Sequence, residues 1–161
     1  MAARMATRLT PKNSVLFVCD MQDRFRLCTQ VFSRIHSFLS LEMGGFICSF
    51  HPFAVSRNTI QYFPAIVETS KRMVDAARIL QMPIVVTEQY PKGLGHTIPE
   101  LGLDDFSMCV PELDLPSSNN VILVGIEAHA CVLQTTLDLL EKGKNVHVVV
   151  DAVSSRSLSD R

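Results

Sequence analysis

Apolar and polar positions alternate between two regimes along this chain. Ser14 to Asp20 (SVLFVCD) is an unbroken apolar, β-branched run closed by an acid, the pattern of a strand buried on both faces in a parallel sheet. Pro83 to Thr87 (PIVVT), Val121 to Ile126 (VILVGI) and Val146 to Asp151 (VHVVVD) share that character. Between them the period changes to that of a helix. From Pro64 to Gln81, Val67, Met73, Val74, Ala77 and Leu80 recur at helical spacing, with Pro64 suited to a first turn. From His129 to Lys142, Leu133, Leu137 and Leu140 form a stripe that Gly143 ends. This alternation predicts a doubly wound α/β fold, a parallel sheet between two helical layers. Ligands of such sheets bind beyond the carboxyl ends of the strands, which directs attention to Asp20, Glu88 to Tyr90, the segment after Gly125, and Asp151.

Two stretches break the rhythm. Residues 27–57 are rich in Phe, Ser, Cys and His and separate the first strand from its helix. Their longest uncharged run, 43–56, has fourteen residues, whereas a membrane span needs about twenty. Gly44-Gly45 and Pro52 argue against one helix there, so the segment is read as an insertion that packs on something or stays a sticky loop. The chain also stops at Arg161, soon after its fourth strand, which predicts an uncovered sheet edge.

The 161 residues suit one domain over 1–161, with 1–13 a disordered lead-in. Hydrophobic residues make up 47% and charged ones 19%, outside the range where disorder dominates. Fifteen basic and sixteen acidic residues are scattered and nearly cancel. No basic stripe exists for a nucleic acid or an anionic membrane, so the expected partner is a small-molecule substrate, with no nucleic acid and no membrane. Five cysteines, at 19, 28, 48, 109 and 131, form no C-x-x-C pair and no zinc-ligand spacing. A reducing, cytoplasmic setting follows; Arg4, Arg8 and Lys12 in the acid-free lead-in leave mitochondrial import as the alternative.

Asp20 ends the first strand, where its carboxylate projects into the crevice or serves as a solvated strand terminus or cap. Cys131 opens a helix two residues after His129. The positive helix end and its free N–H groups would lower the thiol's pKa and could receive an oxyanion. A buried structural cysteine is the plainer alternative. Neither residue is specific alone.

The collinear set SVLFVCDMQDRF, TEQYPKGLG, FSM, GIEAHACVLQTTLDLL and HVVVDAVSSRS resembles the isochorismatase-like cysteine hydrolase family, in particular the animal isochorismatase domain-containing proteins. The resemblance implies a three-layer α/β/α fold with a six-stranded parallel sheet. It also implies an Asp–Lys–Cys site acting on a small amide, imide or similar carbonyl. Asp20 would take the thiol proton and Cys131 would attack the carbonyl to give an acyl-enzyme. A non-proline cis peptide is implied at Ile126–Glu127, with the backbone N–H groups of Glu127 and Cys131 as the oxyanion hole. Gln22, Phe25 and Tyr90 are candidate pocket walls by position.

The chain also departs from the family pattern. The family's lysine lies shortly before FSM, but here ELGLDD runs straight into Phe106-Ser107-Met108, and Lys92 matches a different family position. Phe25-Arg26 and Thr59 to Phe63 read as joined in the family, which marks 27–57 as inserted. The final strand and helices are lacking, so the fold is expected to be incomplete at its C-terminal end. Nicotinamidase-type relatives hold a metal with an Asp and paired His; here the matching stretch has the single His96, and no metal is expected. CDMQDRF contains no glycine, so no dinucleotide or other cofactor is expected. Three readings stay open: a cysteine hydrolase weakened by the missing lysine, a non-catalytic relative that binds a protein through 27–57, and a product unable to fold stably. Relatives of this kind tend to self-associate, so a homo-oligomer is a further expectation.

Overall fold

The computed structural model describes residues 9–26, 60–103 and 118–161. The 27–57 insertion, the FSM motif and the Asp104-Asp105 pair before it therefore lie outside the described residues. A short 3-10 turn at Pro11–Asn13 leads into β1 (Ser14–Cys19). Helix α1 (Phe63–Ile79) leads to β2 (Ile84–Thr87), followed by the single-turn helix α2 (Pro91–Leu94). Strand β3 (Asn120–Ile126), a π-helical turn (Ala128–Val132), α3 (Leu133–Glu141) and β4 (Asn145–Ser154) complete the order.

The four strands run parallel in the order β2-β1-β3-β4. β1 is central and all six of its residues are buried, as expected for a strand covered on both faces. Its side chains alternate between two cores. Leu16 and Val18 join Ile66, Val74 and Ala77 of α1 on one face, whereas Val15, Phe17 and Cys19 join Val132 and Leu139 on the other. The period-2 alternation of β1 thus holds the helical layers on opposite faces. At about 25 cal/mol per Å² of apolar surface, each such buried Leu or Val contributes roughly 1.5–3 kcal/mol.

The buried positions of α1, Phe63, Ile66, Ser70, Val74 and Ala77, recur at three- and four-residue steps. The α3 stripe read from the sequence is not the inward one: Leu133, Leu137 and Leu140 are about half exposed, and Val132 and Leu139 face the sheet. The two stripes are one residue apart, about 100° around the helix axis, and both are apolar. Periodicity cannot choose between them. β4 is longer than expected and shifts register against β3 between Leu123 and Gly125. Asp151 consequently lies inside the strand, exposed, and Ser154 and Ser155 occupy the carboxyl end, fully buried.

After β1 the chain crosses to β2 on one side, then returns to place β3 on the other. The direction reverses between β1 and β3, and the segments leaving these neighbours diverge there into a crevice. Asp20 follows β1, and the turn carrying Cys131 follows β3.

Candidate active site

The peptide between Ile126 and Glu127 is cis, at the position implied by the resemblance. Glu127 is extended, and the backbone then enters the π-helical turn, in which the Val132 N–H donates to the Glu127 carbonyl. Cys131 sits in that turn, partly buried against the α3-side core. Asp20 has a left-handed backbone at φ 49° and is 6% exposed. Its N–H donates to the Thr87 carbonyl (3.1 Å), and its Oδ1 accepts from Thr87 Oγ1 (2.8 Å). The end of β2 thereby fixes the carboxylate at both its backbone and its side chain.

Three groups act on the Cys131 thiol. A side-chain hydrogen bond from Cys19 is the largest influence and favours the thiolate. Burial acts the other way, as do a side-chain hydrogen bond to Asp20 and the Asp20 charge; the Glu127 backbone N–H again favours the thiolate. The net result holds the Cys131 thiol below its ordinary range. Cys19 carries the reciprocal effect: its bond to Cys131, then burial, then the charge of Asp20 push its thiol well above that range. The pair therefore divides into a reactive, partly exposed thiol and a buried partner that keeps its proton. The Cys131 Sγ also faces Gln89 Oε1 at 4.0 Å.

Of the residues expected from the sequence, Asp20 and the Glu127 backbone both act on the Cys131 thiol. The three candidate wall residues differ in their surroundings. Gln22 is fully buried, and its amide is a brace: Nε2 donates to the Gly95 carbonyl (2.6 Å) and Oε1 accepts from the Gln89 N–H (2.8 Å). Phe25 packs against the α1-side core. Tyr90 is 67% exposed. Lys92 is exposed on α2 and is not among the groups acting on Cys131.

Residues around the site complete the surroundings, Glu88 among them, at the strand end to which the sequence pointed. Glu88 is buried and accepts from the Thr97 N–H (2.5 Å) and Oγ1 (2.8 Å), with His96 Nδ1 at 3.1 Å, which ties down the loop after β2. Arg156 Nε donates to Glu127 Oε2 (3.1 Å), and His129 Nδ1 lies 2.9 Å from Ser155 Oγ, so the segment after β4 steadies the cis turn. Cys19 also had a usable signal, because strand alternation puts it on the α3 face. Among the described residues no three His, Cys, Asp or Glu side chains converge as metal ligands would, and no helix is long and apolar enough to cross a membrane.

Comparison with known proteins places this geometry in a family. The isochorismatase domain family matches residues 112–161. Isochorismatase domain-containing protein 2 of Xenopus laevis is 41% identical over 98% of this chain and 68% of its own length. The Homo sapiens protein of that name is 45% identical over 96% of this chain and 66% of its own. The chain thus spans about two thirds of these relatives. A solved structure described as the MAR1 ribonuclease of Caenorhabditis elegans is 47% identical, with a TM-score of 0.68 over 96% of this chain and 71% of that one. The Escherichia coli YcaC product, described as an octameric hydrolase of unknown specificity, shares the fold at 19% identity and a TM-score of 0.63. At these identities and coverages, with the same parallel α/β sheet, the chain belongs to the isochorismatase domain-containing protein family.

Proposed function

We propose that this chain is a cysteine-dependent hydrolase of a small amide, imide or related carbonyl substrate. The observation that carries this reading is that Asp20, just past β1, acts on the Cys131 thiol across the switch point between β1 and β3. Asp20 takes the thiol proton as the sulfur attacks, and the carbonyl carbon becomes tetrahedral. The backbone N–H groups of Glu127 and Cys131 receive the oxyanion. Asp20 then returns the proton to the leaving nitrogen, and water, deprotonated by the same carboxylate, releases the acid. Donation from Cys19 and from the Glu127 N–H favours the thiolate, as a nearby cation would.

The test is a panel of small amides and imides given to the full chain, with intact-mass detection of an acyl-enzyme on Cys131. Because the C. elegans relative is described as a ribonuclease, RNA belongs in the same panel. Turnover with an acyl adduct on Cys131, lost in Cys131→Ser, is expected. Turnover that survives in Cys131→Ser, or activity confined to RNA, overturns the assignment. Self-association is part of the proposal, and sedimentation of the chain as a monomer alone would remove it.

A further inference from the structure

The hydrolase reading uses Cys131 and gives Cys19 no bond-making step, although it is the largest influence on the nucleophile. Both thiols are free. Cys19 is the last residue of β1, 2% exposed, and pairs in register with Gly125 of β3. Cys131 lies in the turn that follows β3 and packs against the cluster containing Cys19. Each thiol is among the groups that act on the other. They come from elements more than a hundred residues apart, so the contact belongs to the fold and not to local sequence.

We propose that Cys19 and Cys131 form a peroxide-responsive dithiol, in which Cys131 is oxidised first and Cys19 resolves it to an intramolecular disulfide. In the first step the Cys131 thiolate attacks the terminal oxygen of a hydroperoxide. An S–O bond forms, the O–O bond breaks, and the alkoxide or hydroxide leaves with a proton from solvent. In the second step the Cys19 sulfur attacks the sulfenic sulfur of Cys131. An S–S bond forms, and the hydroxyl departs as water with the Cys19 proton. Two thiols and one hydroperoxide give one disulfide, one alcohol or water, and one further water; two electrons pass from sulfur to the peroxide. Only Cys131 need be reached from solvent, and it is the one partly exposed. Cys19 attacks from inside, where water and large reductants are excluded. The bond that joins the two sulfurs is about 2.05 Å long.

The arrangement protects as well as switches. A sulfenic acid with no resolving thiol beside it advances to the irreversible sulfinic acid, whereas the disulfide returns to two thiols with a small dithiol reductant. Loss and recovery of hydrolysis with this cycle rest on the proposed function; the disulfide itself does not.

The experiment is peptide mapping of the reduced full chain after equimolar hydrogen peroxide, with and without dimedone to trap sulfenic acid. A Cys19–Cys131 linked peptide that disappears with dithiothreitol is expected. In Cys19→Ser and Cys19→Ala the linkage is lost, dimedone adds to Cys131, and without dimedone sulfinic Cys131 accumulates faster than in the parent chain. A parent chain in which Cys131 carries dimedone or becomes sulfinic while Cys19 stays reduced overturns the proposal. So does linkage of Cys131 to Cys28, Cys48 or Cys109, or a Cys131 inert to peroxide yet alkylated by iodoacetamide. Mapping of the parent chain decides the matter even if the Cys19 variants do not fold. Hydrolysis by the reduced chain is scored separately, so a failed substrate panel leaves the disulfide result standing.

Discussion

A methyl group placed on Gly125 would lie 2.0 Å from the Cys19 carbonyl oxygen and 2.7 Å from its nitrogen. The obstacle is strand backbone, which cannot turn aside, and Gly125 has φ 124°, a conformation that side chains rarely adopt. This contact sets β3 closely beside the end of β1, immediately before the turn that carries Cys131. Gly125→Ala is therefore expected to lose about 3 kcal/mol or more from clash and backbone strain combined. A urea titration checks it; a midpoint unchanged from the parent would mean that the strands separate at no cost.

The thiol chemistry has a signed pH dependence. Cys131 lies below the ordinary thiol range, and Cys19 lies well above it. Iodoacetamide should alkylate Cys131 with a midpoint below that of the same thiol in the unfolded chain, and Cys19 should stay unlabelled in the folded chain. Asp20 disfavours the thiolate, so Asp20→Asn should move the midpoint lower still and speed labelling near neutral pH. The same variant should lose about 10²–10⁴-fold in hydrolysis, because the base is gone. Slower labelling in Asp20→Asn would show that the carboxylate does not face the thiol.

Gln22 joins the β1 end to the loop after β2 through its contacts with Gly95 and Gln89. Gln22→Leu keeps the volume but orphans both backbone partners, at about 1–3 kcal/mol for each that stays buried. Thermal melts should show that loss. The more diagnostic result is a changed Cys131 alkylation rate, since Gln89 loses the brace that sets it beside the sulfur.

Glu88 gives the acid limb of stability. Burial pushes its carboxyl up and is the largest single influence, but donation from Thr97 and His96 together holds it below its ordinary range. A depressed carboxyl contributes stability above its unfolded pKa, about 4.3, and that contribution is lost as pH falls through the folded value. Glu88→Gln should be less stable at neutral pH and should show a shallower decline between about pH 5 and pH 3. Parallel acid limbs for variant and parent would remove Glu88 from this role.

The α1-side core offers a check on packing. Leu16 is fully buried in the central strand beneath α1. Leu16→Ala should cost about 2–5 kcal/mol through lost burial and the cavity left behind. Leu137→Ala, on the half-exposed face of α3, should cost less than the same truncation at the buried Leu139. Equal losses at the two positions would contradict the orientation of that helix.

The sequence by itself determined the four strands and the two long helices, because a buried parallel strand must be apolar throughout and a helix covering it must repeat every three to four residues. It also determined Asp20, Cys131 and Glu127 as a candidate site, since motifs in collinear order carry identity without coordinates. The tertiary structure decided what touches what. It chose Val132 and Leu139 over the neighbouring leucine stripe as the inward face of α3, and it extended β4 past Asp151. It made Gln22 a brace, turned Tyr90 to solvent, and set Cys19 against Cys131. Strand alternation states which face a side chain occupies, but parallel strands meet only through long crossovers. Which element arrives on that face is settled by packing across the sheet, and no local pattern in the chain records it.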